Sequence, residues 1–278
     1  MNRLSTEKRA QIIGCLTEGM SIRSTVRITG AAKNTITKLL VDLGDACSAY
    51  QHATLRDLTC TTFECDEIWN FVYAKDKNIP PARRGEHGVG SVWTWTAICA
   101  DTKLIPAWFV GQRTAHDGYL FMMDLRTRLK YRPQITTDGL AAYAEAIGFS
   151  FGAQVDWATI QKTYASDPQD ERRYSPAVCT GIDVRVRTGD PHPAKISTSY
   201  VERQNLTMRM NMRRMTRLTN AFSKKVENLA AAVALHYQVY NFARPHLSLK
   251  NPYPRTPAMA AGKADHVWTL REIAGLLD

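Results

Sequence analysis

Three runs rich in β-branched and aromatic residues follow one another between Phe63 and Gly111: FECDEIWNFVYAK, SVWTWTAICA and LIPAWFVG. Such residues fit a pleated, half-buried surface, so each run reads as a strand. Three strands adjacent in sequence predict an antiparallel meander. The pattern then changes. DGYLFMMDLRTRLK reads as a helix with an apolar stripe through Leu120, Met123 and Leu129. RPQITTDG reads as a short strand ending in an Asp-Gly turn, and LAAYAEAIG as a helix. This order predicts an α/β fold with a mixed sheet flanked by helices. ATIQKTY is a further strand candidate. The polar, turn-rich stretch from Ala165 to Lys195 reads as a loop or a small insertion.

The first 50 residues follow a helical period instead. Ser5 can cap a helix carrying Ile12, Ile13 and Leu16 that ends near Gly19. Ser21 can cap a short helix, SIRSTVRI, that stops at Gly30. A third helix from Lys33 to Tyr50 shows Ile36, Leu39, Leu40 and Leu43 on one face. A short helix, a Gly-containing turn and a longer helix form a helix-turn-helix layout, although an ordinary three-helix cap shows the same pattern. In the first case Lys33, Asn34, Thr35, Thr37 and Lys38 would enter the major groove. The expected organisation is a helix-turn-helix domain over 1–50, a linker over 51–62 and the α/β domain over 63–220. A C-terminal helix and tail over 221–278 would pack on it through Phe222, Val226, Leu229, Val233, Tyr237 and Tyr240.

The charge is unevenly placed. The chain carries a net +10, and residues 203–225 hold seven basic side chains and no acid. Residues 51–202 are nearly neutral, with 17 basic and 18 acidic side chains. The basic strip is either a solvated helix face or a phosphate-binding surface. No apolar run approaches a membrane span and the start has no apolar signal core, so a membrane partner is not expected. The six cysteines form no Cys-x-x-Cys pair, which predicts reduced thiols.

Three acids stand at telling positions: Asp66 within the first strand, Asp138 at the end of the fourth, and Glu202 at the start of the late helix. Taken singly, each is explained by a surface, a turn or a helix start. Taken together, they match the way a ribonuclease-H-like sheet gathers acids at one edge. Phosphodiester cleavage places charge on the attacking and the leaving oxygen. Two magnesium ions about 3.5–4 Å apart stabilise both, and carboxylates supply the hard ligands. At about 100° per residue, Arg209 and Arg213 fall on the Glu202 face of a continuous helix, which favours the phosphate reading of the strip.

SYVERQNLTMRMNMRRMTRLTNAFSKK, LHYQVYNFARPHLSL and TPAMAAG, together with DEIWNFVYAK and TTDGLAAY, resemble bacterial insertion-sequence transposases of the DDE type, nearest to the insertion-sequence-one group. The resemblance covers roughly residues 63–262. It implies a ribonuclease-H-like fold with Asp66, Asp138 and Glu202 as catalytic, metal-holding triad. It also implies two Mg2+ ions, for which Mn2+ can substitute. The implied reaction is strand cleavage at element ends by water, followed by attack of the freed 3′-hydroxyl on target DNA. Double-stranded DNA, as terminal inverted repeats and target, is the implied partner of a homo-oligomer in the bacterial cytoplasm, at the nucleoid. The DNA-contacting set is then Lys33, Asn34, Thr35 and Lys38 with Arg203, Arg209, Arg213, Arg214 and Arg217. The Cys-x-x-Cys zinc module usual in the group is missing. A helix-turn-helix regulator with an inactive catalytic fold, and a nuclease that cuts without joining, are the alternatives.

Other residues have weaker claims. Strand alternation places Glu67 on the face opposite Asp66, and Glu64 on the same face as a lesser ligand candidate. His116-Asp117 reads as a helix cap. Asn241, Arg244 and His246 read as caps and locks of the chain end. Trp93, Trp95 and Trp108 read as core.

Overall fold

The computed structural model describes residues 4–164, 179–216 and 219–278. Its centre is a six-stranded mixed sheet built from β1 (Thr62–Val72), β2 (Gly90–Cys99), β3 (Ala107–Gly111), β4 (Gln134–Thr137), β5 (Asp156–Tyr164) and β6 (Cys179–Thr188). The spatial order is β3-β2-β1-β4-β5-β6. β1, β2 and β3 form the expected antiparallel meander, β4 and β5 run parallel to β1, and β6 returns antiparallel on the edge. This order is compatible with the ribonuclease-H-like expectation.

Alternation along β1 divides the core in two. Phe63 and Cys65 face α4 (Ala115–Arg128) and α5 (Ala142–Phe151), where Trp95, Phe121 and Tyr143 are buried. Ile68 and Val72 face the other way, against α6 (Ser199–Asn211) and α7 (Val226–Gln238), with Val201, Met208, Leu229 and Tyr237. The buried face of α4 is Gly118, Phe121, Met122 and Leu125; Leu120 is exposed and Met123 half-buried, so the expected stripe is out of phase at those two positions, whereas Leu129, just past the helix, is buried as expected. Four consecutive large apolar residues leave the phase open in sequence. Phe121 packing on Trp95 sets it.

The stretch expected as loop contains β6. Ile182, Val184 and Val186 alternate with Asp183, Arg185 and Arg187, but both faces are exposed. The strand is held by its backbone pairing to β5. Residues 165–178, within the same expected loop, lie outside the described residues.

The amino-terminal helices are α1 (Thr6–Thr17), α2 (Ile22–Thr29) and α3 (Lys33–Thr54). Ser5 and Ser21 cap the first two as expected, and Gly30, at φ 69°, ends α2 in the left-handed region that glycine tolerates best. α3 continues past residue 50, and Leu55, Leu58 and Cys60 are buried in the sheet core, so the expected linker over 51–62 is packed chain. α3 lies tightly on α7: a Cβ at Gly44 would stand 2.4 Å from Ala231. α1 meets α9 (Leu270–Gly275), and Arg9 donates to the Ala274 carbonyl and the Asp278 carboxylate. Between α7 and α9, α8 (Pro257–Ala260) completes the helices.

The tail residues act as locks. Asn241 bonds both the Ile105 N–H and its carbonyl, Arg244 pairs with Glu18, and His246 accepts from the Ser248 N–H. All six cysteines are free thiols, and only Cys179 is exposed. Among the described residues no helix is long and apolar enough to cross a membrane.

Candidate active site where the central strands end

β1 and β4 pair only from Thr62 to Cys65, opposite Gln134 to Thr137. At Asp66 the β4 neighbour has ended, while β1 runs on against β2. A notch opens at this point. Asp138 is the first residue past β4 and stands at its rim; its Oδ1 accepts the Leu140 N–H and so fixes the turn. Asp66 enters the notch from the α6 side, where Asn205 donates to its Oδ2 at 2.7 Å.

Glu67 enters from the α5 side. The Tyr143 hydroxyl donates to its Oε2 at 3.1 Å, and Arg113 bonds its Oε1 at 2.5 Å. Asp66, Glu67 and Asp138 thereby bring carboxylate oxygens within 4.8 Å of one another and can hold a metal ion. Alternation does put Glu67 on the opposite face from Asp66. The two still converge because β1 has no neighbour on its β4 side past Cys65, and side chains reach around that open edge from both faces.

The electrostatics follow from this crowding. Burial first, then the Asp138 charge, pushes the Asp66 carboxyl up to about 6, with Glu202 adding to the rise. Burial and then Asp138 and Asp66 push Glu67 up to about 7, against the lowering pull of Arg113. Desolvation and like charge thus outweigh the one cation beside it. An all-oxygen donor set short of positive charge fits a hard divalent cation.

Glu202 lies in the same recess of about 680 Å³, with Asp66, Glu67, Arg113, Asn205 and Arg209. It is outside the mutually close group. Lys162 of β5 holds its Oε1 at 2.5 Å, and the Thr198 hydroxyl donates to the same oxygen. Trp69 and Trp93 also line the recess, so Trp93 is not the core residue expected, whereas Trp95 is fully buried.

Glu64 has a different role from a metal ligand. It is 1% exposed, and its Oε2 accepts the N–H groups of Tyr200 and Val201 in the first turn of α6. A carboxylate at that place satisfies orphan amides and meets the positive end of the helix. It ties α6, and with it Glu202 and Asn205, to the strand that carries Asp66. Burial raises the Glu64 carboxyl, and these two amides pull it back down. An acid two residues before Asp66 on the same face was the available sequence signal.

The basic candidates separate. α6 ends at Asn211, because Met212 turns extended and is buried with Met215 in the core. Arg209 shares the recess with Glu202, as helical spacing requires, and donates to the Met215 carbonyl. Arg213 lies past the helix end, away from that face, and lines a second cleft with Lys33 and Asn34. Arg214 turns inward, donating to the Ser223 hydroxyl and the Asn228 carbonyl. Thr35 and Arg203 are exposed, and Lys38 pairs with Asp42. Arg217 lies outside the described residues. His116-Asp117 belongs to the start of α4, where Thr114 caps the Asp117 N–H and Asp117 accepts the Gln112 N–H.

Compared with known proteins, the chain matches no family model and no curated protein.

Proposed function

We propose that the chain is a DDE-type transposase, a metal-dependent enzyme that cleaves and joins DNA strands at the ends of an insertion sequence. The observation that carries this reading is the convergence of Asp66, Glu67 and Asp138 on one notch, with Glu202 and Arg209 in the same recess. The antiparallel-then-parallel strand order supports the ribonuclease-H-like fold that the reading requires.

In this reading Asp66, Glu67 and Asp138 hold magnesium, with Glu202 nearby. Bound there, the metal stabilises charge on the attacking and leaving oxygens of a phosphodiester. The residues of the chain do the positioning. Asn205 fixes the Asp66 carboxylate, Tyr143 and Arg113 fix Glu67, and Glu64 fixes α6 against β1. Arg209 offers a cation to a phosphate lying in the recess. α2, the Gly30 turn and the start of α3 serve as a helix-turn-helix that directs the protein to the element ends, as one member of a homo-oligomer.

A second reading is a DNA-binding regulator whose sheet domain is inactive. One observation favours it: Glu67 and Glu202 are each already held by a cation, Arg113 and Lys162. A strand-transfer assay with Mg2+ and the DNA that flanks this gene separates the readings. Cleavage and joining are expected, and Asp138→Asn is expected to abolish cleavage while keeping DNA binding. Cleavage without joining points to a nuclease, binding alone supports the regulator, and persistent cleavage by the variant removes Asp138 from the site.

A further inference from the structure

A cleft of about 1080 Å³ lies apart from the acid recess, between the start of α3 and the segment that follows α6. One wall carries Arg23, Lys33 and Asn34. The facing wall carries Arg213, Arg214 and Lys224. Among the described residues its lining contains no Asp and no Glu. None of these five cations pairs with a carboxylate among the described residues, although Lys38–Asp42, Lys162–Glu202 and Arg244–Glu18 show how readily other cations of this chain do.

Arg214 makes the point most clearly. Its guanidinium is desolvated, which lowers its pKa to about 10, so it stays charged at neutral pH. Its hydrogen bonds go to a hydroxyl and a carbonyl, neither of which neutralises it. A desolvated cation facing a cleft of further cations is relieved by an anion. Neutral donors are interleaved with the charges, including Asn34, Thr37 and Asn220. This mixture of cations and neutral donors is what phosphate oxygens take.

The shape restricts the anion. The volume stands at the upper limit of a single small-ligand site, about 300–1,000 Å³, and the lining runs across two walls from different parts of the chain. A run of several phosphates fits this better than one free phosphate.

We propose that the cleft is a single binding site for a continuous run of DNA backbone phosphates, gripped from both walls at once. The start of α3 and the segment around Arg213 thereby hold one DNA molecule, and Arg23 and Lys224 join the contact set. α6 connects this grip to the acids: Glu202 and Arg209 line the recess, and the chain leaving the helix enters the cleft. From Glu202 to Asn211 the helix rises about 14 Å. The inference rests on the DNA reading above but not on catalysis.

The test is fluorescence anisotropy of the full chain with a fluorescein-labelled 20-base-pair duplex of arbitrary sequence, in EDTA, over a salt series. Arg23→Gln and Lys224→Gln are both exposed changes, and unchanged melting checks that each variant folds. Each is expected to weaken binding about eightfold at ~0.1 M salt and to lower the salt slope by about one. Together they should lower the slope by about two, with one duplex bound in a single transition. Lys250→Gln, outside the lining, should change neither. Unchanged affinity and slope in the cleft variants overturn the proposal. So do two separable duplex-binding events, each sensitive to one wall only. A wild-type chain that binds no duplex overturns both this proposal and the transposase reading. A chain that binds through the cleft but never cleaves overturns the transposase reading alone.

Discussion

The acid recess and the cationic cleft are opposite in charge and in how they are built. The recess takes Asp66 and Glu67 from β1 and Glu202 from α6, and Asp138, the first residue past β4, stands at its rim. Each carboxylate is fixed by a named donor, and two, Asp66 and Glu67, are pushed up in pKa by burial and then by the Asp138 charge. The cleft takes its cations from helix starts and from the irregular chain after α6, and they stand without acid partners among the described residues. Chemistry at a phosphodiester needs carboxylates placed to within a fraction of an ångström, which rigid strands supply. Holding a backbone needs charge along a track, which tolerates looser placement.

The largest expected effect separates these roles. Asp66→Asn should lower DNA cleavage in Mg2+ by more than about a hundredfold, the scale for losing a group that acts on transition-state charge. Duplex affinity measured in EDTA should not fall, because removing an acid beside DNA relieves repulsion. A variant that loses binding and cleavage together would mean that the recess is part of the grip.

The sequence made some of this contrast visible and hid the rest for identifiable reasons. The first five strands, the capped amino-terminal helices and the meeting of Asp66 with Asp138 followed from period and order. Glu67 was misplaced in consequence, though not in direction. Alternation is a rule about faces and does not show where a neighbouring strand stops. The basic strip looked like one helix face because periodicity cannot show that Met212 and Met215 pull the chain into the core at Asn211. Arg214 therefore points inward and Arg213 toward α3, and the cleft between distant segments had no signature along the chain. β6 was missed because its alternation lies among turn residues and buries neither face.

A pH series sharpens the electrostatic side. The folded pKa of Glu67 lies at about 7, above the ordinary 4.5. A carboxyl raised on folding contributes stability that is present below its unfolded pKa and is lost as pH rises through about 7. Glu67→Gln removes that loss. Measured by urea unfolding in EDTA, the variant should gain about 3 kcal/mol relative to wild type between pH 4 and pH 8, at 1.36 kcal/mol per unit. Comparing the two proteins cancels the opposite contribution of His236, whose burial lowers its pKa to about 3. Saturating Mg2+ should reduce the wild-type loss, since a cation favours the ionised cluster. A gap independent of pH would show that the recess does not crowd its charges.

Gly44→Ala probes the scaffold of the cleft. Helix propensity alone would favour alanine by about 1 kcal/mol. The new Cβ would stand 2.4 Å from Ala231, and its backbone cannot yield as a flexible side chain does. Overpacking of this kind costs about 1–3 kcal/mol beyond what propensity returns. Melting should fall by about 4–8 °C for a net loss of about 2 kcal/mol. Unchanged melting would mean that α3 can move off α7, and the cleft would then have one movable wall.

The smallest effect concerns a cation that the chain has already partnered. Lys38 is exposed on α3, beside the cleft-lining start of that helix, and pairs with Asp42 at 2.5 Å. Solvent screens such a pair, so its breaking costs at most about 0.5 kcal/mol of helix stability. Asp42→Asn releases Lys38 and removes one negative charge from the surface near α3. Both changes favour a polyanion. In the same anisotropy assay, duplex affinity should rise by about two- to fivefold, with the salt slope steeper by up to about one. A rise in affinity with an unchanged slope would assign the gain to relieved repulsion rather than to a new Lys38–phosphate contact. No rise at all would place the α3 surface beyond Lys38 outside the DNA track and confine the grip to the cleft.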